Sequence, residues 1–528
     1  MSLNLKNQAF MAFQISGLTL RSDAGKYLLS LLSPIKECER GEWLTKIVEA
    51  VQRQPLTSSF VDKTVIEKAL KEFTDPEKEE AEAFLNIISA YSVPALAYDP
   101  EMKRFTSKKD AGSINLHSDA NTKAFIFLQR YDLVYQRTIR HSLFSPPVIT
   151  GLSPLQPQSF TLKPVEFLLG TSSKQGNLIV LGMLTQMKEG KYFLEDPTGA
   201  VPLDLSKTVY KGGLFTENSF VLAEGVYEDS IFHVSALGFP PPEPASTTLQ
   251  HFGKTNFFGG PHATSVRTSK KLKSLEENNS EAMFIFLSDV WLDKIEVLQK
   301  LKILLAGFSE MPPTCFVLMG NFVSVPQGIS HSKIVKDCFE KLANMISEFP
   351  LIVQNSQFVF VPGPSDPGLT TILPRPSIPG KLVEDFCNKI PNSVFATNPC
   401  RIQYCSQEIT VFREDMVAKM CRSCVYMPWE HEEQVNVPNL FVKTLVANAH
   451  LCPLPLNVAP VYWEYDHSLW LYPLPDIVVC GDKYDPFCVT NNDCTFINPG
   501  SFPHTDFSFK VYLPSTRQVE DSQITDVP

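Results

Sequence analysis

Apolar residues recur at helical spacing through the first hundred positions. Trp43, Leu44, Ile47, Val48 and Val51 form one stripe; Val61, Val65, Ile66, Ala69, Leu70 and Phe73 form another. Ser58 and Ser59 can cap the second helix. A third run, Phe84, Leu85, Ile88 and Tyr91, follows a charged break from Asp75 to Glu82. Helices with one apolar stripe each must pack together, which predicts a bundle of four or five helices, with residues 1–75 as its domain. Another helix, with Phe125, Leu128, Tyr135 and Ile139 on one side, ends at Ser145-Pro146-Pro147. It closes the only clearly basic stretch, Lys103 to Arg140, with eight basic residues against three acidic ones. Residues 76–159 therefore read as a linker with further helices and a solvated basic face.

From Phe160 to Phe239 the period shortens. Runs at Leu178–Leu184, Tyr192–Leu194, Val201–Leu205, Phe220–Gly225 and Ile231–Leu237 alternate with turn residues, among them Asp196-Pro197-Thr198-Gly199. Five short strands predict an OB-type barrel over 160–240. A proline-rich exit opens a polar linker, 241–281. Residues 282–514 then alternate strand and helix: strands at Met283–Leu287, Cys315–Met319, Phe358–Val361 and Ile477–Cys480, with helices between, for example Leu440–Ala449. Residues 515–528 read as a flexible tail. The chain is thus a multidomain α+β protein: helical bundle, barrel, then a layered α/β domain.

Composition narrows the function. The 528 residues carry a formal net charge of −10, which argues against a surface built to grip nucleic acid phosphates. Aromatics reach 11%, enough for several cores and an interface. The longest charge-free run near the C-terminus, Thr444 to Trp463, holds His450 and three prolines and cannot be a lipid-facing helix. The stretch Asn7 to Leu20 reads as an amphipathic first helix rather than a signal peptide. Twelve scattered cysteines read as buried free thiols.

In an open α/β sheet, function sits beyond the carboxyl ends of the strands. Those loops read Leu287-Ser288-Asp289-Val290-Trp291, Met319-Gly320-Asn321-Phe322, Val361-Pro362-Gly363-Pro364-Ser365-Asp366, Asn448-Ala449-His450 and Cys480-Gly481-Asp482-Lys483-Tyr484. Their order resembles the calcineurin-like metallophosphoesterases, an α/β/β/α fold whose motifs are Asp-x-His, Gly-Asp, Gly-Asn-His-Asp/Glu, a lone His and Gly-His-x-His. Against that pattern Asp289, Asp366 and His450 persist. Trp291, Asn321, Pro364, Ser365, Asp482 and Tyr484 stand where ligands belong. A pair of divalent metals about 3.5–4 Å apart needs a bridging carboxylate and several imidazoles. Without them no catalytic residue, metal or cofactor is expected, and Trp291 and Tyr484 are expected to occlude the cleft.

A degenerate phosphoesterase domain after an OB barrel is the architecture of replicative DNA polymerase B subunits. Tyr192-Phe193-Leu194-Glu195-Asp196-Pro197-Thr198-Gly199, Asn256-Phe257-Phe258-Gly259-Gly260-Pro261, Asn398-Pro399-Cys400-Arg401-Ile402-Gln403-Tyr404 and Gly481-Asp482-Lys483-Tyr484-Asp485-Pro486-Phe487 resemble the epsilon-type B subunits. The resemblance implies a non-catalytic role in leading-strand DNA replication in the nucleus. It implies a bundle like the C-terminal domain of AAA+ ATPases, binding to the cysteine-rich C-terminal domain of the catalytic subunit and to other polymerase subunits. It also implies a link to the replicative helicase through GINS, with DNA met mainly through the complex.

Two rival sites compete with this reading. A barrel can bind single-stranded DNA through a basic groove with stacking aromatics. Here Phe160 to Phe239 has six lysines, no arginine and nine acids, which favours a protein partner. Cys400, Cys405, Cys421 and Cys424 include one C-x-x-C, but an offset of five puts Cys400 and Cys405 on opposite strand faces, favouring packed thiols over zinc. A hydrolase, a DNA binder and a scaffold subunit are the three function classes, and the scaffold fits best.

Overall fold

The computed structural model describes residues 9–14, 18–32, 40–53, 60–67, 84–107, 118–145, 160–171, 174–262, 264–326, 328–368, 370–427 and 435–524. They form two compact units: one of residues 1–84 with 253–256 and 261–266, the other of the remaining residues. In the first unit, residues 9–14 and 63–67 are helical alongside helices Ser22–Leu32 and Arg40–Arg53. Leu44, Ile47, Val48 and Val51 turn one face into a core shared with Phe13, Leu28 and Leu32. Phe60–Val61, expected in a helix, instead pairs in parallel with Thr19–Leu20. The β-branched Val61 finds a ladder partner there and stays buried. Ser58, Ser59, Ala69, Leu70 and Phe73 lie outside the described residues.

In the second unit, Gln175–Lys188, Lys191–Asp196, Gly199–Asp204, Phe220–Glu228 and Ile231–Gly238 form a barrel, closed where Phe220–Glu228 pairs with both Gln175–Lys188 and Ile231–Gly238. The Asp196 turn is fixed by its own carboxylate, which accepts from Thr198 N at 2.8 Å and Gly199 N at 3.1 Å. A short sixth strand, Val209–Lys211, lacks enough alternation to stand out in sequence.

Besides a two-stranded hairpin, Leu96–Asp99 with Arg104–Ser107, two six-stranded sheets make up the rest of the described strands. The first runs Ser393–Phe395, Gln357–Val361, Cys315–Met319, Phe284–Leu287, Ser508–Leu513, Gln518–Gln523. Ile285, Leu287, Phe316, Leu318, Phe358 and Phe360 pack on helices Ile295–Gly307, His331–Ser347 and Gly380–Lys389. Phe284, on the opposite face, meets Tyr404 of the second sheet edge-on at 5.3 Å. The second sheet runs Phe487–Asn491, Cys494–Asn498, Ile477–Gly481, Gln407–Arg413, Cys400–Tyr404, Leu85–Ser89, and its outer face carries helices Met416–Arg422 and Val437–Asn448. The layering is therefore helix, sheet, sheet, helix.

Three expectations need correction. The run Phe84 to Tyr91 is not a helix. Leu85–Ser89 is a strand antiparallel to Cys400–Tyr404, because that edge supplies the hydrogen bonds that a lone amphipathic turn lacks. Residues 241–281 are not simply a polar linker: Ala245–Phe252 and Lys270–Asn278 are helices, and Phe252, Phe257 and Phe258 are buried. The tail is not loose up to residue 524, since Gln518–Gln523 pairs along Ser508–Leu513. Polar composition misled there, because this edge strand is held by its backbone ladder and has a single apolar side chain, Val519.

The basic stretch is only in part a solvated face: Lys103, Arg104 and Lys123 are exposed, but its last three arginines are not. On helix Ala120–Arg140, Arg130 forms a buried ion pair with Asp466, and Arg140 pairs with Glu243 at 2.8 Å. Arg137 donates to the carbonyls of Val446 and Ala447, at the C-terminal end of helix Val437–Asn448, where a cation complements unpaired carbonyls. The barrel is tied to the same helix: Leu214 N donates to Thr444 Oγ1 at 2.9 Å and Phe220 N to Asn448 Oδ1 at 2.7 Å.

Candidate functional site

The carboxyl ends of the strands from both sheets meet around one side chain that the loop motifs did not single out. Arg413 ends strand Gln407–Arg413 and is fully buried. Its Nη2 donates to Asp289 Oδ1 at 2.7 Å, its Nη1 to Asp415 Oδ1 at 2.8 Å and to Gly481 O at 2.9 Å, and its Nε to Gly320 O. Burial alone would weaken the guanidinium's hold on its proton, but Asp289 and Asp415 outweigh that and raise its pKa. Burial would raise Asp415 in turn, yet Arg413 holds its carboxyl below the usual range.

The surrounding loops are built onto this ion pair. Asp289 sits at a left-handed φ of 55° and accepts from Asn321 N at 3.2 Å. Asn321 Oδ1 accepts from Ser365 N at 2.9 Å. Asp366 accepts from Phe322 N at 2.7 Å and Gly363 N at 2.8 Å, and burial still raises its carboxyl above the ordinary range. Asp482 accepts from Val417 N and Tyr484 N, both at 2.9 Å, and burial pushes it up to about 6. Gly320 is required by close approach: a methyl there would run into Asp366 Oδ2 and, at 2.7 Å, Gly363 N.

Asp289, Asn321, Ser365, Asp366 and Asp482 thus come together, with Pro364 in the same loop. His450 belongs to a different network. Its Nδ1 accepts from Cys452 N at 2.9 Å, and its Nε2 lies 3.4 Å from Asp466 Oδ1. Burial and the neighbouring Arg130 lower its pKa, which leaves the imidazole neutral. Trp291 and Tyr484 are only partly buried; Trp291 stands edge-on to His504 at 5.0 Å. They do not plug the site as expected. Arg413 occupies its centre, because a strand-end guanidinium reaches between the two sheets where a loop aromatic does not. Among the described residues no three His, Cys, Asp or Glu side chains converge as a metal site. Cys400 pairs opposite Val411 and Cys405 lies in the following turn; burial pushes the Cys400 and Cys424 thiols up to about 12 and Cys405 to about 11.

Arg413 was missed because a charged residue after a strand normally marks the way out to solvent. The available signal was the run Arg413-Glu414-Asp415, which begins on the last residue of a strand buried along its whole length.

Family profiles match three stretches: the epsilon N-terminal family of DNA polymerases over 1–73, the "DNA polymerase epsilon subunit 2-like, OB-fold domain" over 120–241, and the B-subunit family of DNA polymerases alpha and epsilon over 284–489. The human protein named DNA polymerase epsilon subunit 2 is 53% identical over 522 residues, covering 98% of each chain. The chain belongs to the DNA polymerase epsilon subunit 2 family. The Mus musculus member of that family is 50% identical over 522 residues, covering 98% of each chain. The Drosophila melanogaster member is 39% identical over 526 residues, covering 99% of this chain and 98% of its own. The Arg413 ion pair falls inside the stretch that the polymerase epsilon subunit 2 family shares with the alpha-type B subunits.

Proposed function

We propose that this chain is a non-catalytic accessory subunit of DNA polymerase epsilon, which holds the catalytic subunit's C-terminal domain and connects it to the replicative helicase, GINS included, in the nucleus. One observation carries the non-catalytic part. The centre of the strand-end cleft is filled by a guanidinium neutralised by two carboxylates, so the position that a divalent cation needs is already taken by a fixed positive charge. On this reading Asp289 and Asp366 are relics of a phosphoesterase ancestor, and Trp291, Asn321, Pro364, Ser365, Asp482 and Tyr484 are replacements freed from ligation. The N-terminal helices, a bundle of the AAA+ C-terminal type, reach the helicase, and DNA is met mainly through the complex.

The test is purification with and without the catalytic subunit. A stoichiometric complex is expected. With Mn²⁺ or Zn²⁺ the free chain should not hydrolyse bis(p-nitrophenyl) phosphate above a metal-only blank. Turnover that Arg413→Met leaves unchanged would refute the relic reading, and failure to co-purify would refute the subunit reading.

A further inference from the structure

Helix Ala120–Arg140 has two unlike faces. One is anchored by Arg130, Arg137 and Arg140, as described above. The other presents Phe125, Leu128, Tyr135 and Ile139, which remain 40%, 41%, 38% and 40% exposed. With Asp132 these positions step by three, four, three and four residues, the repeat of a helix seam, over about 21 Å of helix axis. Leu143, also exposed, prolongs the stripe, and Phe160 is held beside it by a 2.8 Å bond from its N–H to Leu143 O. Exposed apolar residues scattered singly need no explanation, but a continuous stripe on a rigidly anchored helix does.

The charge pattern selects the occupant. Asp132 sits exposed at the midpoint of the stripe, and among the described residues no cation pairs with it. A second copy of this chain packed about a two-fold axis at that midpoint would set Asp132 against Asp132, which like charges disfavour. A partner helix with apolar residues at the same spacing and a Lys or Arg at its centre satisfies both features.

We infer that the outer face of helix Ala120–Arg140 docks an amphipathic helix of the catalytic subunit, with a basic residue of that helix opposite Asp132. This rests on the accessory-subunit reading and gives it a surface. The test co-expresses the full-length chain with the catalytic subunit of DNA polymerase epsilon. Leu128→Asp/Ile139→Asp is expected to cut recovery of the complex at least tenfold, and Asp132→Lys to cut it severalfold. The free double variant should melt as the parent does, because both side chains face solvent. A photoreactive benzoylphenylalanine at Leu128 in the otherwise unchanged chain should cross-link to the catalytic subunit, which keeps the test informative even if the double variant folds poorly. Undiminished recovery of the double variant, or no cross-link in an intact complex, overturns this surface and leaves the subunit reading standing. Failure of the unmodified chain to co-purify overturns both.

Discussion

Replacing Arg413 by Met keeps most of the side-chain volume and removes the charge. Asp289, 0% exposed, then has no counter-ion, and Asp415 keeps only Lys483, 3.6 Å away at the surface. Breaking one side of a buried ion pair costs about 3–5 kcal/mol, because the remaining charge stays desolvated and alone. At about 2–4 °C per kcal/mol, the range for domains of about 150–250 residues, Arg413→Met should lower the melting temperature by at most about 6–20 °C. Circular dichroism melts of the full-length chain at pH 7 read this directly. Arg413→Met/Asp289→Asn, with no buried charge left at that pair, should recover at least half of the loss. A single variant that melts within 2 °C of the parent, or a double variant worse than the sum of its parts, would refute the argument that this ion pair carries the cleft.

Three further outcomes follow from other sites. Glu408 is pushed up to about 7 by burial despite its 2.9 Å ion pair with Arg267, so the folded state keeps a proton that the unfolded state loses near pH 4.5. Its contribution therefore falls as pH rises from about 4.5 to about 7, by an amount of order 3 kcal/mol, and urea titrations should find that Glu408→Gln flattens the slope in that window. Gly320→Ala should lower the melting temperature by at least 5 °C, since its methyl meets the Asp366 carboxylate and the Gly363 backbone; a normal melt would show that these loops can shift freely. In a gel shift at about 0.15 M salt, the free subunit should not bind a single-stranded oligonucleotide at micromolar concentration, given the acidic excess over Phe160 to Phe239.

The strands of the first sheet were legible because Phe284–Leu287, Cys315–Met319 and the interior of Gln357–Val361 are buried on both faces and read as unbroken apolar runs. The loops that follow them were legible for the same reason. Leu85–Ser89 was not, since its pairing partner is Cys400–Tyr404 and nothing within a local window distinguishes its Ile87-Ile88 pair from a helical stripe. Arg413 failed in the same way: the carboxylate that explains its burial, Asp289, lies 124 residues upstream. The role of the basic stretch was hidden because Arg130, Arg137 and Arg140 find their partners on segments far along the chain, Asp466, Val446 and Glu243 among them. Local pattern identifies elements, but the company they keep is set by topology.

The strand Leu85–Ser89 also bears on the order in which this protein can be made. It leaves the ribosome before the barrel, yet its place in the second sheet exists only after residue 404 has been synthesised. Until then it is an unpaired strand with two adjacent isoleucines. The mirror problem arises in any fragment begun at the barrel or later: the edge of Cys400–Tyr404 is left open, a template for pairing with another chain. Fragments meant to carry the layered domain should start before residue 85, and those that start later should be the ones that aggregate.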